Sequence, residues 1–158
     1  MPRVPGYARS ALWRVVAGCA VISLAGCGTM SGAQHSCEST FGLTEPKKVN
    51  CTGSVETVSG SPPLSVIEIG DDIDGAFLLE TTITVARGTA KASVTDIDDE
   101  RVRGEVSPGE PLDIRALVYP EPAAGADADT EEVEVQLKVK EGEEVEDLSY
   151  EATLVEQD

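Results

Sequence analysis

A strict two-residue alternation of apolar and polar side chains is what most constrains this chain. Phe77, Leu79, Thr81, Ile83 and Val85 alternate with Leu78, Glu80, Thr82, Thr84 and Ala86. Further on, Val133, Val135, Leu137 and Val139 alternate with Glu132, Glu134, Gln136, Lys138 and Lys140. Successive side chains of a strand point to opposite faces, so the pattern describes strands with one buried face and one wet face. After Arg87-Gly88, Ala90, Ala92 and Val94 alternate with Lys91, Ser93 and Thr95, which predicts a β-hairpin turning at the glycine. Weaker runs predict strands over 49–58, 64–69, 102–106, 112–119 and 148–155, separated by short Gly-, Pro- and Asp-rich breaks. Apolar residues nowhere recur at helical spacing over a helix length. The expectation is an all-β chain: an antiparallel β-sandwich of about seven to eight short strands, Ig-like or jelly-roll-like. A single closed barrel is the alternative.

The first residues have a different character. Arg3, Arg9 and Arg14 are the only charges before Cys27, and an uncharged apolar run over 15–24 leads into Leu24-Ala25-Gly26-Cys27. That run is too short to span ~30 Å of hydrocarbon. A cationic start, a brief apolar core and small residues at the end are the parts of a secretory signal. The Leu-Ala-Gly-Cys ending resembles the lipobox of bacterial lipoproteins at all four positions. The resemblance implies diacylglycerol on the Cys27 thiol, cleavage before it and acylation of the new amino group, hence a membrane attachment through lipid. It further implies location on the periplasmic or extracellular side of the cell membrane or outer membrane. Gly28, rather than an Asp, after the cysteine points to the outer one where the cell has it. On this reading residues 1–26 are the signal peptide, 27–48 a lipidated flexible tether and 49–158 the β-sandwich domain.

Once the signal is removed, four cysteines reduce to two, because Cys19 leaves with it and Cys27 carries lipid. An even pair in an exported chain, Cys37 and Cys51, is most simply a disulfide. The competitor is a metal site with His35 and Cys37 as ligands, but two thiols and one histidine fall short of the four protein ligands of a closed zinc site. All 29 acidic residues lie in the mature part, against the nine of 12 basic residues left after Arg3, Arg9 and Arg14, so its formal charge is about −20 rather than −17. Such a charge, with no basic cluster in the sequence, excludes nucleic acid as a partner. The even spread of carboxylates reads as a solvated, salt-tolerant surface, and cation capture is the sharper alternative.

The candidate chemistry is sparse. Around Gly70–Gly75, Asp72 and Asp74 match two ligand positions of a calcium loop, but the first and last positions would be Gly70 and Thr81. Asp96, Asp98 and Asp99 form a second acidic turn, and the two turns together are the candidate Ca²⁺ ligands. His35 is the single histidine, and neither a Gly-x-Ser-x-Gly elbow nor a His-Glu-x-x-His pair occurs. Tyr119 and Tyr150 are expected to cap strand ends. No catalytic residue is assigned and no cofactor is required. The expected function is that of a lipid-anchored, non-enzymatic envelope lipoprotein, binding or scaffolding a protein or envelope partner. A Ca²⁺-binding sandwich and an envelope hydrolase are the alternatives.

Overall fold

In the computed structural model, which describes residues 28–40, 46–69, 75–122 and 130–157, the chain forms two antiparallel sheets packed face to face. Sheet A contains β1 (Thr29–Ser31), β2 (Gln34–Thr40), β3 (Lys48–Ser59), β5 (Phe77–Thr84), β8 (Leu112–Val118) and β11 (Val145–Glu156). Its order is β3–β11–β5–β8, with β1 and β2 following each other along the outer edge of β3. Sheet B contains β4 (Pro63–Ile69), β6 (Ala90–Thr95), β7 (Arg101–Val106), β9 (Glu121–Pro122) and β10 (Glu131–Val139), in the order β4–β10–β6–β7 with β9 also on β10. The fold class is the expected sandwich. It has eleven strands among the described residues rather than about eight, because β1, β2 and β9 are edge strands with almost no apolar pattern.

The alternation in the sequence becomes the core. Phe77, Leu79 and Ile83 from β5, Leu148 and Leu154 from β11, and Val135 and Leu137 from β10 are all essentially inaccessible to solvent. Each fully buried side chain of this kind contributes roughly 1.5–3 kcal/mol through removal of apolar surface from water. On β4 the alternation slips at Val66–Ile67, both buried, where the register with β10 shifts between Val133 and Glu134. A β-bulge of this kind lets two adjacent residues share one face.

Two expectations are corrected. The predicted hairpin across Arg87-Gly88 does not form: β5 pairs with β11 and β8 in sheet A, while β6 pairs with β10 and β7 in sheet B. With both edges of β5 taken, the chain must cross to the other sheet. The crossing is held by Arg87 and Glu146, which exchange backbone bonds of 3.3 and 3.1 Å. Gly88 is required there, since its φ is +79° and a Cβ would collide with the Glu144 carbonyl. The second correction concerns the expected tether over 27–48. Residues 29–31 and 34–40 are strands that cover the free edge of the 12-residue β3. Unpaired donors and acceptors along so long an edge favour such pairing, and one side chain, Cys37, anchors β2 to the core. Cys27 and residues 41–45 lie outside the described residues.

Candidate functional site

Register across sheet A brings together side chains that are far apart in sequence. One row runs His35–Gly53–Tyr150–Ile83, and the next runs Cys37–Cys51–Ala152–Thr81. In the second row Cys37 and Cys51 stand directly opposite each other, with Cα atoms 4.1 Å apart, and are joined as the expected disulfide. Cys51 is buried under the sandwich and Cys37 is partly buried at its edge. In the first row Gly53 leaves space for its neighbour: a Cβ at Gly53 would fall within the ring of Tyr150. The ring therefore lies across β3 and reaches β2. Its hydroxyl lies 2.5 Å from His35 Nδ1 and donates to the Ser65 carbonyl of β4 at 3.1 Å, which ties the two sheets together.

These contacts fix the orientation of the imidazole. The Tyr150 hydroxyl thus holds the imidazole by Nδ1 while bonding the Ser65 carbonyl. The other ring nitrogen, Nε2, points towards β3 and β4. It faces Cys37 Sγ at 2.9 Å and a Glu68 carboxylate oxygen at 3.9 Å. Burial, and secondarily the negative charge of Glu68, push the Tyr150 hydroxyl up to about 12. Tyr150 is thus an inward mid-strand residue, 4% exposed, and not the expected strand-end cap; Tyr119, at the end of β8, is 58% exposed. Among the described residues, His35, Cys37 and Cys51 form the group of potential metal-ligand atoms that lie within 4.8 Å of one another.

The acidic turn between β6 and β7 is organised around its own backbone. Asp96 Oδ1 accepts from the amides of Asp98 and Glu100, each at 2.9 Å, while the Asp96 amide donates to the Glu100 carbonyl. Asp99 takes a φ of +61°, which Asp tolerates in tight turns. One Asp96 oxygen is therefore engaged in shaping the loop, and Asp98 and Asp99 are exposed beside it. Asp72 and Asp74, the other candidate Ca²⁺ ligands, lie outside the described residues.

The two outer faces differ in how their polar groups are used. On sheet A neighbouring strands satisfy one another: Thr82 donates to Asp113, Thr84 bonds Ser149, Thr153 donates to Asn50, and Arg115 pairs with Glu80 at 3.2 Å. On sheet B, Lys138 stands opposite Lys91, which faces Glu105 on β7 in turn, and Gln136 and Ser93 lead across to Arg103, with Arg101 next along β7. These four cations are exposed, line an open groove with Ser61, Ser93 and Gln136, and make no ion pair among the described residues. The expectation of a surface without any basic cluster is corrected here: positions 91, 101, 103 and 138 converge only through strand register. Past Gln136 the same face turns acidic. Burial holds the Glu134 carboxyl above its usual range, reinforced by Glu132 and then Glu121.

No protein-family model matches the chain, and no curated protein matches it in sequence. Among solved structures it is similar to procruciferin, an 11S globulin from Brassica napus, at 11% identity and a TM-score of 0.33. That match covers 74% of this chain, which spans about a quarter (26%) of the globulin. It is also similar to the family 11 carbohydrate-binding module of a cellulosomal cellulase of Clostridium thermocellum, at 13% identity and a TM-score of 0.30, covering 85% and 89% of the two chains. A family 29 carbohydrate-binding module variant matches at 14% identity and a TM-score of 0.28, covering 84% and 86%.

Sequence reasoning missed the Tyr150–His35–Glu68 cluster and the basic face. The usable signals were a glycine in the middle of an alternating strand, Gly53, and a tyrosine at an inward position of another, Tyr150. His35 and Cys37 are read together, since residues two apart in a strand share a face.

Proposed function

We propose that this chain is a non-enzymatic binding domain, held on the outer side of a membrane by acyl chains on Cys27, that takes an anionic envelope partner on the outer face of sheet B. The observation that carries the reading is the contrast between the two faces. Sheet A pairs many of its polar groups internally, whereas Lys91, Arg101, Arg103 and Lys138 stand together with Glu105, opposite Lys91, as the carboxylate in register with them, and make no ion pair among the described residues. Four cations kept together on a chain of net charge −17 offer a local match for carboxylate, sulfate or phosphate groups, and the arginines add planar donor forks. The large apolar side chains exposed among the described residues, Met30, Leu117 and Tyr119, are too few for a hydrophobic docking patch, which supports a polar interface. The Leu24-Ala25-Gly26-Cys27 ending supports the lipid anchor.

The full chain, produced in a bacterial host and extracted in neutral detergent, tests both parts. Mass spectrometry is expected to find a chain beginning at acylated Cys27, and Cys27→Ser to stay unprocessed. A mature chain that begins elsewhere and carries no lipid overturns the anchor. On an immobilised sulfated polysaccharide the chain is expected to be retained despite its net charge, on a neutral glucan it is not, and the combined Arg101→Gln, Arg103→Gln, Lys138→Gln variant is expected to pass through. Retention unchanged by those substitutions, or no retention at all, overturns the binding face.

A further inference from the structure

We propose that Cys37 and Cys51, when reduced, form with His35 and Glu68 a site for one thiophilic divalent ion of the Zn²⁺ type. The edge strand β2 is then held to β3 either by the disulfide or by the metal. This inference is independent of the anionic partner on sheet B.

The donor set is the first argument. Two thiolates, an imidazole nitrogen and a carboxylate oxygen are the ligand types that favour Zn²⁺ over hard ions such as Ca²⁺ or Mg²⁺. Sequence alone offered three of them and fell one short. The fold brings a fourth beside them from β4: Glu68 Oε2 lies 3.9 Å from His35 Nε2, outside the 4.8 Å group of His35, Cys37 and Cys51, and its exposed side chain swings in to complete the set. In a tetrahedral site with bonds of about 2.0–2.3 Å, neighbouring ligand atoms are about 3.3–3.8 Å apart. The His35–Glu68 spacing is close to that span, the Glu68 carboxylate has to move towards the sulfurs, and the two sulfurs freed from their bond have to separate to it.

The orientation of His35 is the second argument. A ligating histidine is normally held by a hydrogen bond from its other ring nitrogen, which fixes the tautomer and the direction of the lone pair. Tyr150 does this here: its hydroxyl bonds Nδ1 and is itself anchored on the Ser65 carbonyl, and its ring is seated over Gly53. Nε2 is thereby aimed at Cys37. Cys51 forms the buried floor, and the partly exposed Cys37, His35 and Glu68 leave the site open to entry from the sheet edge.

The chemistry balances with a dithiol as reductant. It gives two electrons and two protons to the Cys37–Cys51 bond, its own sulfurs close into a disulfide, and two thiols form on the chain. The incoming ion displaces both thiol protons to solvent and makes two metal–sulfur bonds.

The experiment uses the full chain with Cys19→Ser and Cys27→Ser, so that the pair supplies the only thiols. Reduced with a phosphine and titrated with Co²⁺, it is expected to develop ligand-field and thiolate-to-cobalt absorption saturating at one equivalent, which Zn²⁺ abolishes. The oxidised chain is expected to show neither. His35→Ala and Tyr150→Phe are each expected to weaken Co²⁺ binding about tenfold or more, and Cys37→Ser to remove the charge-transfer band. Absorption insensitive to His35→Ala, or no saturable binding by the reduced chain, overturns the proposal. Far-ultraviolet circular dichroism covers unfolding on reduction: recovery of the β spectrum on adding Zn²⁺ supports the site, and failure to recover it overturns the site.

Discussion

The ring of Tyr150 occupies the place where Gly53, its register partner on β3, would carry a side chain. That vacancy lets the hydroxyl pass over one strand and join His35 on β2 to Ser65 on β4. Gly53→Ala is therefore expected to cost about 1–3 kcal/mol through overpacking, read as a lower midpoint in urea. The cost should shrink when Tyr150→Ala is made in the same chain, because the two changes share one contact. Strictly additive losses would show that the ring does not depend on the glycine. Tyr150→Phe keeps the ring but leaves the Ser65 carbonyl and His35 Nδ1 without their partner, an expected loss of about 1–3 kcal/mol.

The same hydroxyl gives the oxidised protein a defined alkaline limit. Burial, then the charge of Glu68, raise its folded pKa from 10.0 to about 12. An acid whose folded value is raised stabilises the fold fully below the unfolded value. The unfolded chain loses the proton first, so that stability is lost as pH rises from 10 towards 12. Urea midpoints are expected to fall across that window in the wild type and to fall less in Tyr150→Phe. Parallel curves for the two proteins would mean that some other group sets the limit.

The strands that could be read in the sequence are those with a buried face. β5 and β10 announce themselves because Phe77–Ile83 and Val133–Val139 alternate cleanly and do fill the core. β2 is hidden for the opposite reason: Cys37 is its one hydrophobic residue packed against the core, and an edge strand held by backbone pairing leaves no hydrophobic trace. Alternation also states which side chains face inward without stating which strand lies alongside. This is why Arg87-Gly88 reads as a hairpin although it is a crossing between sheets. The cluster around the disulfide is half legible. His35 and Cys37 share a strand face by spacing alone, but Tyr150 is 115 positions from His35 and reaches it only through register.

Cutting the disulfide tests how firmly that edge strand is held. The bond closes a 14-residue separation, for which loop-closure entropy gives about 3 kcal/mol. Cys37→Ala with Cys51→Ala is expected to lower global stability by about that amount. Hydrogen exchange should also rise selectively in β2, whose inward anchor is gone, while β5 and β11 exchange only as fast as the new global stability allows. Uniform acceleration with no excess in β2 would argue that backbone pairing alone fixes the edge.

The β6–β7 turn distinguishes a loop-shaping carboxylate from a metal-binding one. Asp96 accepts two backbone bonds at 2.9 Å, so Asp96→Ala is expected to cost about 1–2 kcal/mol by leaving those amides to solvent and loosening the turn. Asp98→Asn and Asp99→Asn remove charge without removing a bond of that kind and are expected to leave stability within about 0.5 kcal/mol. The measurement is a thermal melt of each variant with and without Ca²⁺. A Ca²⁺-dependent rise in the wild type that Asp98→Asn abolishes would favour a cation role for this turn.

On the outer face of sheet B, Glu134 sits where burial, the charge of Glu132 and a side-chain hydrogen bond to it, and then the charge of Glu121, all favour the protonated acid. Its folded pKa is raised above 4.5, so the folded state is disfavoured relative to the unfolded chain once pH climbs through that value. Glu134→Gln removes the penalty. Because solvent screens an exposed site, the expected gain at pH 7 is about 0.5 kcal/mol. The gain should vanish towards pH 4, where wild-type Glu134 is protonated, and should shrink in high salt as the Debye length falls to about 3 Å at 1 M. Urea midpoints of wild type and Glu134→Gln at the two pH values decide it. An advantage that persists unchanged at pH 4 would trace the effect to packing and not to crowding of the three carboxylates.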